Sequence, residues 1–273
     1  MIQLFTKGWI GPGIPPGPFT INLESPQANG LIAWWPATNI SGGVFGLFDR
    51  VRKVFHSSSG GVTYGFVPEF GNALNYASGY IRVYEKHTLA GLTNWTITAW
   101  VITTSLTTSG GNGRPIYSER STGNELLKFQ LSDGVGAVAG GLQYIYRDTA
   151  GTLNRAGMAS ALSANTLYHV ALVKTGTDIR IYVNAVQAYN NTLTATDTLT
   201  TITRVEIGGD SAGSSVAWAG MIPDTRAYGR ALSISELWQH YDPATRFDLY
   251  QPIALPGLWL ETSGGARSYG AIF

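Results

Sequence analysis

Few residues of this 273-residue chain stand where type and spacing could do chemistry. The nearest pair of carboxylates is Glu206 with Asp210, and Gly208-Gly209 interrupts it, so the segment reads as the end of a strand running into a loop. His56, His87, His169 and His240 stand alone in the sequence and give no nucleophilic triad to build on. The absence of cysteine excludes disulfides, cysteine-ligated zinc and thiol catalysis together. Gly134-Val135-Gly136 and Ala139-Gly140-Gly141 lack the strand-to-helix context and the lysine that a phosphate cradle needs, and read as hairpin and loop material. Tyr144, Tyr146 and Arg147 could line a sugar-binding surface, because aromatic faces stack on sugar rings. Aromatics on alternate strand positions also serve as core, and that is the competing reading.

The elements that must position these residues are strands. In Trp95 to Val101, the residues Trp95, Ile97, Ala99 and Val101 share one face and Thr96, Thr98 and Trp100 the other, as a half-buried strand requires. Ile179, Ile181 and Val183 repeat the pattern. Runs of Thr, Val, Ile, Tyr and Trp broken by Gly, Asn, Asp and Ser favour many short antiparallel strands. Alternation continues from Met221 to Tyr228, Gly229-Arg230 supplies a turn, and Ser233 with Glu236 three residues on forms a capping box opening a helix over about 233–241. Trp95, Trp100, Val170, Leu172, Ile181, Val183 and Ile222 are the expected core between two sheets.

Four blocks, in order, resemble the laminin-G-like, concanavalin A-like jelly roll: Ala28 to Pro36, Trp95 to Val101, the hairpin Leu167 to Lys174 with Ile179 to Asn184, and Ala219 to Leu237. The resemblance implies an all-β, two-sheet antiparallel sandwich with one short helix near the C-terminus and extended terminal arms. It divides the chain into an arm over 1–25, a jelly roll over 26–241 and a tail over 242–273. Glycanases on this fold present Glu-x-Asp-x-x-Glu on one strand face, a spacing this chain lacks, so no catalytic residue is expected. The resemblance makes His169 a hydrogen-bonded core histidine. It also implies a calcium site at the sandwich rim with Asp49 and Asp224 as candidate ligands, but Pro223 stands where a further aspartate would supply charge and a ligand. Asp224 with Arg226 then reads better as a structural ion pair, and no metal or other cofactor is expected.

Composition bounds the partners. A net charge of +1 leaves no footprint for nucleic acid or an anionic membrane, and no segment has the apolar length of a membrane span. Met1 to Ile10 lacks the apolar run of a secretion signal. Charged residues make up 13% of the chain, about half the usual share, which fits either a Thr/Ser-rich neutral surface or one covered by neighbouring subunits.

Gly11 to Pro18 packs prolines and glycines too densely for a helix or a central strand, and Pro243, Pro252 and Pro256 break up the other end. Both ends nevertheless carry large apolar side chains. Phe5, Trp9, Phe19, Phe247, Tyr250, Trp259 and Phe273 are therefore expected as contacts to other subunits, with packing on the chain's own sandwich as the alternative. After the short helix come Tyr241-Asp242-Pro243 and then Phe247-Asp248-Leu249-Tyr250-Gln251-Pro252, a succession that resembles the end of laminin-G-like proteins of tailed bacteriophages. The leading expectation is a non-enzymatic virion protein, a capsid decoration or auxiliary protein assembled in the bacterial cytoplasm, with its own copies and other virion proteins as partners. The alternative is a carbohydrate-binding adhesion module of a phage tail or bacterial surface.

Overall fold

The computed structural model describes residues 14–15, 18–37, 46–83, 89, 91–107, 113–121, 124–194, 202–211 and 217–253. Strands are numbered along the chain: β1 (Phe19–Ile21), β2 (Leu31–Pro36), β3 (Gly46–Asp49), β4 (Val54–Ser59), β5 (Val62–Val67), β6 (Gly71–Tyr76), β7 (Tyr80–Val83), β8 (Asn94–Thr103) and β9 (Arg114–Ser121). They continue as β10 (Asn124–Leu131), β11 (Leu142–Arg147), β12 (Leu153–Gly157), β13 (Leu167–Thr175), β14 (Asp178–Val183), β15 (Val186–Thr192), β16 (Arg204–Ile207), β17 (Gly220–Tyr228) and β18 (Tyr250–Pro252). One helix, α1 (Ile234–Tyr241), follows β17 and opens on the expected capping box, with Ser233 and Glu236 bonding reciprocally. No helix among the described residues is long and apolar enough to cross a membrane.

Two eight-stranded sheets face each other. The first runs β15-β14-β13-β8-β17-β6-β5, with β2 also on β17, and the second runs β12-β11-β10-β9-β16-β7-β4-β3. Every pairing is antiparallel, including the long β8·β13 ladder from Trp95 opposite Lys174 to Ile102 opposite Leu167. Pro223 sits in a bulge where β17 changes partner, pairing with β6 up to Ile222 and with β2 from Asp224 onward. A residue with no N–H to donate suits that break in the ladder, and its carbonyl accepts from Ala37 N at 2.8 Å.

Between the sheets lie Trp95, Ile97, Ala99, Val101, Val170, Leu172, Ile181 and Ile222, with Val183 half-buried at the margin. Tyr117, Leu127, Phe129, Val205 and Ile207 answer them from the second sheet. Trp100 departs from expectation. Its parity sends it to the outer face of the first sheet, where it is buried against Phe70, Tyr241 and Arg246. It is core of a second cluster, made because the C-terminal segment covers that face.

Candidate functional site

The outer face of the first sheet is closed by the chain's own ends. β1 pairs with β18, and Phe19, Trp34 and Tyr250 pack with ring centroids 4.6 to 5.7 Å apart. Beneath them Asp224 accepts from Trp34 Nε1 at 3.1 Å, from the Tyr250 hydroxyl at 3.0 Å and from Arg226 Nη2 at 2.8 Å. Arg226 also donates to Gln27 Oε1 at 2.6 Å, and Gln27 Nε2 reaches the carbonyl of Thr245 at 2.7 Å, so a single network joins the sheet to the segments that follow β1 and α1. His169 and His240 meet under α1 with centroids 5.8 Å apart. Burial, and then Arg226 and Arg246, push the His169 imidazole down to about 3, and burial lowers His240 likewise. Burial pushes the Tyr228 phenol up to about 12.

This arrangement settles several expectations. Phe19, Phe247 and Tyr250 are 2%, 2% and 0% exposed within their own chain, so they pack on the chain's own sandwich, the alternative to contacts with other subunits. Phe5, Trp9, Trp259 and Phe273 lie outside the described residues. Asp49 and Asp224 do not form a ligand pair. Asp49 Oδ1 caps a turn, accepting from the backbone N–H groups of Val51, Arg52 and Trp34, while Asp224 is taken up by Arg226, Trp34 and Tyr250. Tyr144 and Tyr146 are wholly buried between the sheets, so they line no sugar-binding surface. Arg147 is held by the carbonyls of Glu125 and Gly151.

The outer face of the second sheet is the opposite case. Cross-strand register sets Arg155, Ile145, Lys128, Ser118, Glu206 and Arg82 in one row across six strands, all pointing away from the core. At the β12 end the row lies beneath a loop that holds Arg155 through Asp133 and Gln143 through the carbonyl of Val135. At the centre the loop after β16 folds back over the sheet. Gly208 has φ +75°, and a Cβ there would meet the Tyr76 ring at 2.2 Å, so glycine is required for the turn. The turn delivers Asp210 to Lys128 Nζ at 2.6 Å and Arg120 Nη1 at 2.7 Å, and it delivers Ser211 to Glu206, whose carboxylate accepts from Ser211 N at 2.6 Å. Glu206 and Asp210 are thus each engaged by their own donors, Ser211 and Arg82 for the first and Arg120 and Lys128 for the second.

Toward the β3 edge the same face opens. Arg204 is exposed, the Arg82 side chain is 40% exposed, and Tyr80, Ser57 and Phe48 are half-buried. Phe55, 36% exposed, lays its ring over Gly46, where a Cβ would come within 2.5 Å. The Arg82 guanidinium lies 5.6 Å from the Tyr80 ring centre and Arg50 lies 5.3 Å from that of Phe48. Aromatic rings, a serine hydroxyl and guanidinium groups therefore lie, half-buried or exposed, on the same outer face. Sequence reasoning passed over these residues. The signal was present in Tyr80-Ile81-Arg82-Val83 and Arg204-Val205-Glu206-Ile207, two runs whose polar members alternate with core residues.

The architecture is that of a jelly-roll sandwich, and the sequence agrees: residues 75–237 match the family model described as the concanavalin A-like lectin/glucanases superfamily. The chain belongs to that superfamily. Among solved structures it is similar to the ligand-binding domain of botulinum neurotoxin serotype D, solved in complex with N-acetylneuraminic acid, at 14% identity and TM-score 0.58, covering 80% of this chain and 52% of that one. It is also similar to the binding domain of Paraclostridial Mosquitocidal Protein 1, at 13% identity and TM-score 0.57, covering 79% and 52%. A Trypanosoma rangeli sialidase in complex with a difluoro-KDN matches at 18% identity and TM-score 0.52, covering 78% of this chain and 32% of that one. The chain thus spans about half the length of the toxin binding domains or less of the sialidase, and these likenesses concern the fold. No curated protein matches it in sequence.

Proposed function

We propose that this chain is a non-enzymatic carbohydrate-binding adhesion module, of a phage tail or a bacterial surface, and that it binds glycan on the open half of the second sheet's outer face. One observation carries the reading: of the two outer faces, this one leaves Phe55, Tyr80, Ser57, Arg82 and Arg204 accessible on rigid strands. Rings that stack on sugars beside hydroxyls and guanidinium groups that bond to them are the chemistry such a surface needs. Superfamily membership and the binding domains of similar fold agree with it. A hydrolytic role has less support, because Glu206 and Asp210 are buried in ion pairs rather than flanking an open space.

A glycan array tests the proposal. Binding to at least one glycan class, weakened about tenfold in Phe55→Ala or Tyr80→Ala with the fold intact, is expected. An array with no bound glycan would overturn it.

The virion-assembly reading has one observation in its favour. Ile234 and Trp238, one turn apart on α1, are 59% and 52% exposed and offer an apolar stripe to a neighbouring copy. Sedimentation of the purified chain checks this second reading: an oligomer dissociated by Trp238→Ser supports it, and a monomer at all concentrations removes it.

A further inference from the structure

We infer that Arg82 and Arg204 form an anion seat that selects acidic glycans, those whose sugars carry carboxylate or sulfate groups. The inference rests on the glycan-binding reading and names the ligand class of the same face. Arg82 on β7 and Arg204 on β16 come from neighbouring strands, and both aim at one atom. Arg82 Nη2 donates to Ser211 Oγ at 3.1 Å and Arg204 Nη1 donates to the same oxygen at 3.3 Å. Two like charges converging on one neutral hydroxyl is the geometry of an anion site holding a weak stand-in.

The carboxylate below, Glu206, pairs with Arg82, so one negative charge stands against two guanidinium groups. Glu206 is wholly buried, takes Arg82 Nε at a long 3.4 Å, and satisfies both its oxygens with the backbone N–H and the hydroxyl of Ser211. The guanidinium groups instead face outward, with Arg204 exposed and Arg82 40% exposed. Asp210 is turned into the sheet by Arg120 and Lys128, which also hold the partly exposed Glu125. Among the described residues of this patch, Arg82, Arg204, Arg120 and Lys128 stand against Glu206, Asp210 and Glu125, which leaves a positive balance, and charge complementarity then favours an anionic ligand. Tyr80, whose ring lies beside Arg82, flanks the seat with a face on which the sugar ring itself can rest.

The test uses an array with three arms: neutral, carboxylated and sulfated glycans. Acidic glycans should bind at least tenfold more tightly than neutral ones of the same backbone, with affinity falling as salt rises. Arg204→Gln should reduce acidic binding to the neutral level at an unchanged melting temperature, and Arg204→Lys should restore part of it. Arg82→Gln provides an independent second variant. Retention on the carboxylated or the sulfated arm alone identifies the group that is recognised. Equal binding of neutral and acidic glycans, untouched by Arg204→Gln, would overturn the anion seat and leave the glycan-binding face standing. Binding to no arm would overturn both.

Discussion

The two outer faces of this sandwich begin from the same raw material, a strand face turned away from the core, and end differently. On the first sheet Trp34, Trp100, Asp224, Arg226 and Tyr228 are sealed under α1, β1 and β18. On the second, loops close the centre and the β12 end, and the strip from Arg204 to Phe55 stays open. The contrast separates stability from function. Buried polar groups are tolerated where every charge is answered, as with Asp224, and such a network fixes the docking of the termini. Exposed aromatics and guanidinium groups contribute little to folding, and on the proposed function they are what a glycan meets.

The largest expected effects lie on the sealed face. Asp224→Ala leaves Arg226 buried without its carboxylate and should cost about 3 to 5 kcal/mol in denaturant unfolding. Trp100→Ala should cost a similar amount, roughly 3 to 5 kcal/mol, by opening a cavity between β8, α1 and the C-terminal segment. If either change proved neutral, the face would not be sealed as described.

Acidification should loosen the same face. His169 and His240 are held neutral when folded, with His169 down near 3, whereas the unfolded chain takes up protons below about 6.5. Their contribution is whole above that value and is lost progressively from about pH 6.5 toward pH 3, with a slope of up to about 1.4 kcal/mol per pH unit for each histidine. Melting curves between pH 7 and 5 check this, and His169→Gln should flatten the slope. Tyr250→Phe removes one hydrogen bond to Asp224 and should cost about 1 kcal/mol.

The open face should respond weakly in stability and strongly in binding. Arg204→Gln is expected to stay within about 0.5 kcal/mol of the parent in unfolding. Chelation should leave the melting temperature unchanged, because Asp49 and Asp224 are taken up by the protein's own donors. A calcium ion at about a hundredfold excess over its dissociation constant would have added about 2.7 kcal/mol, so a drop on adding EDTA would return both residues to the list of ligands.

Local patterns made much of the fold legible. Alternation in Trp95 to Val101 and the Ser233–Glu236 box each involve residues a few positions apart, and the strand and helix appear where those patterns place them. Trp100 shows where local reasoning stops. Its parity pointed outward, and only the distant segment carrying Tyr241, Arg246 and Phe247 turns that outer position into core. The packing of Phe19 and Tyr250 on their own sheet was out of reach for the same reason, since the β1·β18 pairing spans nearly the whole chain. The candidate face was the least legible, because Phe55, Tyr80, Arg82 and Arg204 come from three strands that become neighbours only through β4·β7 and β7·β16 pairing.

The most direct measurement is a hydrogen-exchange footprint of the chain with a bound glycan taken from the array. Protection confined to β4, β7, β16 and the loop through Ser211, with α1 and β18 unchanged, is the result expected of the open face. Protection centred on α1 around Ile234 and Trp238, with β7 and β16 unaffected, would contradict it.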